Sequence, residues 1–156
     1  KSATMKYFIA DLAKHYNVES RTVLSNSSCL SADVNVCFDP NFKDVTEVKN
    51  TAHLNYGVVL TKYVGSRGKS GTSDASAEFV GKIRKILNDN NVIWQTGELG
   101  KVDQGGGGTV AAYIANLNVD VVDIGVPILS MHSPFELASK TDIYMAYKAF
   151  LSFYNS

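Results

Sequence analysis

The sequence of 156 residues is short of several things, and each shortage narrows what the chain can be. It has two cysteines, Cys29 and Cys37. Two are too few for a disulfide framework, and their spacing is not the CxxC of a zinc site or a redox pair. They read as reduced, buried thiols of a cytosolic protein. Charge of one sign is also lacking, because 15 Lys+Arg stand against 15 Asp+Glu. Neutrality removes the electrostatic case for nucleic acid or an anionic membrane as the main partner. No apolar run approaches the ~20 residues that a membrane helix needs. The opening residues Lys1 to Lys6 lack the long uncharged stretch of a signal peptide, so the sequon at Asn26-Ser27-Ser28 carries no weight and a cytoplasmic location is expected. No HExxH and no cluster of His and Cys is present.

What is present suits a globular piece. The chain is 45% hydrophobic, enough for a real core, and its length fits one domain or part of a larger one. Met5, Phe8, Ile9, Leu12 and Tyr16 recur at three- and four-residue spacing, which predicts an amphipathic helix over 3–16. Arg21-Thr22-Val23-Leu24 predicts a short strand, since two of its residues are β-branched. Tyr56 to Val64 reads as a strand buried on both faces, followed by a Gly/Ser-rich loop from Gly65 to Gly71. A helix is expected to open at Ser73-Asp74-Ala75 and reach about Asn88. Val92 to Gln95 and Val119 to Val126 are further strands; Thr109 to Leu117 and Lys140 to Phe153 are further helices. Helix and strand alternate, so the expected fold is α/β, with helices covering a mostly buried sheet.

Several segments are candidates for chemistry. Gly65-Ser66-Arg67-Gly68-Lys69-Ser70 has half of a phosphate-binding loop, but Tyr63 stands where the first glycine is required. Gly105, Gly106, Gly107 and Gly108 are costly to order, so they mark either a flexible connection or a place where backbone must approach a ligand closely. Ahead of a helix, their amides could face an anionic group such as a peptide carboxylate. His15 and His53 read as ordinary surface side chains. His132 differs, because it follows the buried run Val126 to Met131 where strand meets loop, the place where ligands gather in an open α/β sheet. Neutral imidazole is a good zinc ligand. Asp33, in Leu30-Ser31-Ala32-Asp33, is by itself a loop carboxylate, and one His with one Asp does not make a zinc site.

Taken together, these segments resemble a known family. Leu30-Ser31-Ala32-Asp33 followed by Asp39-Pro40-Asn41-Phe42, and Ser130-Met131-His132-Ser133 preceded by Val121 to Pro127, are similar to the metal-ligand segments of the aspartyl aminopeptidase/aminopeptidase I family. The glycine segment before a helix and the closing helix fall in that family's order, and the resemblance covers essentially residues 1–156. It implies the C-terminal portion of a single zinc-peptidase catalytic domain, with helices on both faces of a mixed sheet. It also implies an aminopeptidase that releases N-terminal residues from peptides, with two zinc ions per site in the complete enzyme, cobalt or manganese being possible. Asp33 would bind one metal and His132 the other. A metal-activated hydroxide would attack the peptide carbonyl while the second metal holds the substrate amine. Lys62 is similar to the pocket lysine of acidic-residue-specific members, and Gly105 to Gly108 to the glycine loop lining the cleft. The complete enzyme would be a homo-oligomer, a dodecamer in this family, acting on peptides without nucleic acid or membrane.

The chain departs from that pattern in two respects. It contains no adjacent Glu-Glu pair, which in the family supplies a ligand and the general base, nor the family's N-terminal histidine and bridging aspartate segments. No catalytic residue is therefore assigned, and the chain alone is expected to have negligible peptidase activity. The alternative is a non-catalytic binding or assembly module of the same fold. In addition, Val36 and Asp39 stand where aspartyl-specific members carry histidines. Asp39 argues against acidic substrates and Lys62 for them, so the preferred residue stays unassigned.

Overall fold

A computed structural model describes residues 2–67, 70–101 and 103–156. Helix α1 (Thr4–His15) packs against α2 (Ser20–Ser25), and strands β1 (Ser28–Ala32) and β2 (Asn35–Val36) follow. A 3₁₀ turn, Lys43–Val45, precedes β3 (Val58–Thr61), β4 (Tyr63–Ser66), β5 (Ser70–Asp74) and α3 (Ala77–Asp89). The chain continues through β6 (Trp94–Thr96), β7 (Gly106–Gly107), α4 (Ala111–Ala115), β8 (Asp120–Gly125), β9 (Pro127–Leu129), β10 (Leu137–Ala138) and α5 (Lys140–Tyr154). No helix among the described residues is long and apolar enough to cross a membrane.

The central sheet has the order β1-β8-β3-β6, with β1 parallel to β8, β3 antiparallel to β8 and β6 parallel to β3. Side chains alternate across its faces, and both faces are covered. Val58, Leu60, Val122 and Ile124 join Phe79, Ile83 and Leu87 of α3 and Ala146 and Ala149 of α5 in one core. Each large apolar side chain fully buried there contributes about 1.5–3 kcal/mol. Val59 and Val121 point to the other face, which α4 and the segment before it help to cover. The mixed sheet with helices is as expected. Asp142, 1% exposed in the first turn of α5, accepts hydrogen bonds from the backbone N–H groups of Asn55 (2.8 Å) and Gly57 (2.9 Å) and so pins the approach to β3.

Four expectations are corrected. Arg21 to Leu24 lies in α2, not a strand. Its backbone bonds locally, Val23 N–H reaching Glu19 C=O at 3.1 Å, and the Ser25 and Ser27 hydroxyls bond back to the carbonyls of Arg21 and Val23. So short a segment is weakly specified by strand propensity alone, and these local bonds decide its state. The run Tyr56 to Val64 is split at Lys62 between β3 in the core sheet and β4 in a second, three-stranded sheet of order β5-β4-β7. That second sheet takes up most of the expected Gly65–Gly71 loop, of which Gly68 and Lys69 lie outside the described residues. Ser73 and Asp74 end β5, and α3 starts only after Ser76, whose hydroxyl accepts from the N–H of Phe79 at 3.2 Å. Serine is a preferred N-cap for this reason. Helix α1 forms as expected, yet Phe8 is 61% exposed and Met5, Leu12 and Tyr16 also face outward; only Ala13 is buried.

Candidate metal-binding cleft

The second face of the sheet meets solvent at a cleft of about 360 Å³, lined by Asp33, Val34, Val36, Val45, Leu99, Met131, His132 and the Gly100 and Gly105–Thr109 backbone. Asp33 and His132, 99 positions apart in sequence, both line it. Asp33 sits in the two-residue link between β1 and β2. β2 runs parallel to β9, with Asn35 opposite Pro127 and Val36 opposite Ile128, and His132 follows β9. Both residues are exposed.

The two links are shaped by the backbone around them. Asp33 Oδ1 accepts from the N–H of Val34 at 2.9 Å. Gly125, at the end of β8, lets the Asp33 carbonyl pass directly over it; a Cβ there would overlap the Asp33 carbonyl oxygen outright and lie 3.3 Å from Val34 N. At the other wall, Ser130 (φ 59°) and His132 (φ 68°) are both left-handed without being glycine. Such residues cost of order 1–3 kcal/mol each and persist where the surroundings over-determine them. The N–H of Ser133 bonds to the Ser130 carbonyl at 3.0 Å, and Glu136 accepts from the His132 N–H at 2.7 Å, so the turn is held from two sides.

The glycine segment forms the third wall. Gly106 and Gly107 pair with Ser66 and Gly65 of β4 as a short strand, where a plain loop was expected. Gly106 has φ +103°, and a Cβ on it would overlap the Gly65 carbonyl oxygen, so only glycine fits. The helix after it is shorter than expected, Ala111–Ala115. Between them Thr109, nearly buried, donates its hydroxyl to Asp123 Oδ2 at 2.8 Å.

The other candidates lie elsewhere. Lys62 lines a separate hollow of about 90 Å³ with Tyr63, Thr96 and Glu98, and it forms an ion pair with Asp74. Asp39 accepts from the N–H of Asn41 at 2.8 Å and does not line the cleft, whereas Val36 does. His15 lies on the surface at the end of α1, and His53 sits exposed between the rings of Phe38 and Tyr56. Cys37 is buried and Cys29 half-buried. Burial and the nearby Asp142 push the Cys37 thiol up to about 12, and burial and Asp123 raise Cys29, so both stay protonated thiols.

Sequence reasoning missed Asp123, whose only signal was a carboxylate inside the apolar run Val121 to Ile124. It is 6% exposed, and burial pushes its carboxyl above the ordinary range. The hydroxyls of Ser31 and Thr109 work the other way, and the neighbouring Asp33 adds to the rise. Glu136 was missed because nothing in sequence marks a carboxylate aimed at a backbone N–H.

Carboxylate and imidazole are suitable donors for zinc, but no group of three His, Cys, Asp or Glu that could hold a metal occurs among the described residues. Asp33 and His132 thus fit as part of a donor set and do not complete one.

The α/β sheet thus presents a carboxylate and an imidazole at one largely apolar cleft. Comparison with known proteins narrows this. A family model described as aminopeptidase I zinc metalloprotease (M18) matches residues 2–154. A probable M18 family aminopeptidase 1 of Clostridium acetobutylicum is 50% identical over 136 residues, covering 87% of this chain and 29% of that protein. Another from Thermotoga maritima is 52% identical over 130 residues, covering 83% and 29%. The crystal structure of aminopeptidase I from Clostridium acetobutylicum superposes with a TM-score of 0.91 at 46% identity, over 100% of this chain and 34% of that one. The chain belongs to the M18 family of zinc metallopeptidases. It spans about a third of the length of these relatives.

Proposed function

We propose that these residues form the C-terminal part of the catalytic domain of a zinc aminopeptidase, which releases N-terminal residues from peptides. The observation that carries this reading is the meeting of Asp33 and His132 at one cleft, opposite the glycine segment. Asp33 and His132 would each ligate a metal; zinc, or cobalt or manganese in its place, would supply Lewis-acid polarisation of the scissile carbonyl and activation of water. The chain's own residues do the rest. Gly125 and the β1–β2 link hold the Asp33 carboxylate at the sheet end, and Glu136 holds the His132 turn. The glycine segment offers backbone against which an extended peptide can lie. The apolar wall of Val34, Val36, Val45, Leu99 and Met131 supports preference for an uncharged N-terminal side chain, while Lys62 is held by Asp74 in its own hollow.

Because two donors do not complete a zinc site, the 156-residue chain by itself has negligible activity. The test is an assay with excess zinc on Leu- and Glu-aminoacyl substrates, using this chain and the complete polypeptide. The complete enzyme should cleave, preferring Leu, and lose turnover and bound zinc on Asp33→Ala or His132→Ala. Clear turnover by the chain alone that His132→Ala abolishes would overturn the inactivity, and faster cleavage of Glu than Leu would overturn the preference. A second reading, a non-catalytic assembly module, is favoured by one observation: an apolar groove of about 630 Å³ between α1 and α4, lined by Met5, Val110, Tyr113, Ile114 and Leu117. It prevails if the complete polypeptide binds no zinc. Homo-oligomerisation of the complete enzyme is part of the proposal, and its mass in solution reports on it.

A further inference from the structure

Beneath the cleft the sheet carries a buried polar row where apolar side chains would be ordinary. Ser31 of β1, Asp123 of β8 and Thr61 of β3 stand in register across three adjacent strands, and all are buried. Residues in register point to the same face, so the row lies on the cleft side of the sheet, opposite the core of Val122 and Ile124.

Two of the three walls of the cleft are each tied to this row by a hydrogen bond. Asn35, 3% exposed and two positions after Asp33, donates its Nδ2 to the Thr61 hydroxyl at 2.7 Å. Thr109, the residue that closes the glycine segment, donates its hydroxyl to Asp123 Oδ2 at 2.8 Å. Asp123 Oδ1 has no hydrogen-bond partner among the described residues, and the Ser31 hydroxyl faces the same carboxylate without closing a bond of normal geometry. A buried carboxylate with one oxygen unpartnered is costly. Its other oxygen fastens the end of the glycine segment to β8, the strand next to β1.

We propose that Thr109 and Asp123 are a positioning pair that fastens the Gly105–Gly108 segment to the sheet beneath Asp33, and so sets how tightly a peptide substrate binds in the cleft. This rests on the aminopeptidase reading for the substrate, but not for the anchoring. Neither residue is assigned a step in the chemistry. A contact that serves bound substrate and transition state alike changes KM and leaves kcat in place.

The test uses the complete enzyme with Thr109→Val, which keeps the shape and removes the hydroxyl, and Thr109→Ser, which restores it. Thr109→Ala, without added bulk, is the second variant should valine prevent folding. Losing this charge-assisted bond should accelerate amide hydrogen exchange across residues 105–108 and raise KM for a Leu-aminoacyl substrate, each by about tenfold. Meanwhile kcat should stay within about twofold, with zinc content unchanged and the serine variant close to the parent in both readouts. Unchanged exchange, unchanged KM, or a fall in kcat at constant KM would each overturn the proposal. If the parent enzyme cleaves no aminoacyl substrate, the aminopeptidase reading fails; the exchange result then decides the anchoring by itself.

Discussion

Behind the cleft the Asp33 carbonyl passes directly over Gly125, and replacing Gly125 with alanine tests that close approach directly. The new Cβ would occupy the space of the Asp33 carbonyl oxygen and carbon, with Val34 N at 3.3 Å. The obstruction is backbone, so no side chain can rotate out of the way. Both ends of the obstructing link are pinned. Ala32 pairs with Ile124 in the parallel ladder, and the Asn35 N–H bonds to the Val126 carbonyl at 3.0 Å. Only Asp33 and Val34 are left to move. Overpacking of this kind costs about 1–3 kcal/mol. At the middle of that range, Tm should fall by roughly 4–8 °C for a domain of this size. The displaced Asp33 carboxylate should weaken zinc binding in the complete enzyme by about 10- to 100-fold, the usual range for disturbing a ligand's support. Gly81→Ala is the matched control. It lies on the exposed face of α3 with nothing within 4 Å of its Cβ, and should raise stability by about 0.5–1 kcal/mol. Thermal melts and zinc titration by competition with a chelator read both effects. A Gly125→Ala variant with parental Tm and zinc affinity would refute the account of how Asp33 is held.

Removing Asp142, which accepts from two backbone N–H groups, should cost about 2–4 kcal/mol in Asp142→Ala, read as a lower midpoint in urea unfolding; Asp142→Asn, which keeps an acceptor, should lose less. Asp123 predicts the sign of a pH effect. Its folded carboxyl titrates above the ordinary value of 3.8, so the folded state holds its proton more tightly than the unfolded one. Stability relative to Asp123→Asn should therefore fall as pH rises from about 4 through that folded value, and stay level beyond it. Melts of both proteins across that acid range check it, and a parental protein that gains on the variant as pH rises would contradict it. Cys37, buried and pushed up to about 12, should react with a thiol reagent at pH 8 only at the rate of unfolding and at once in denaturant, with Cys29 slower than a free thiol in the native protein.

Periodicity made the long elements legible. Phe79, Ile83 and Leu87 mark α3 in sequence and are its buried face in the structure; the run Val119 to Val126 became β8 because strands covered on both faces read as unbroken apolar stretches. Short segments were less legible, since their state depends on partners. Arg21 to Leu24 has strand-like composition, yet its backbone bonds locally in α2. Gly65 to Gly71 has loop-like composition, yet Gly65 and Ser66 end β4, and Ser70 and Gly71 begin β5.

For the site, local context marked His132 and the four glycines as candidates, since imidazole and unencumbered backbone can be read one position at a time; Asp33, by itself a loop carboxylate, became a candidate only through the family resemblance. Their meeting in one cleft was decided by the parallel pairing of β1 with β8 and of β2 with β9, a long-range register that no local pattern encodes. The same is true of Gly125, whose need to be glycine comes from the Asp33 carbonyl crossing it, and of Lys62, drawn to Asp74 by a hairpin. It holds also for Asp123, whose burial beneath the glycine segment depends on strands far apart in the chain. Chemistry belongs to single side chains and shows in the sequence; distance and burial belong to the packing of remote segments, and only the folded chain supplies them.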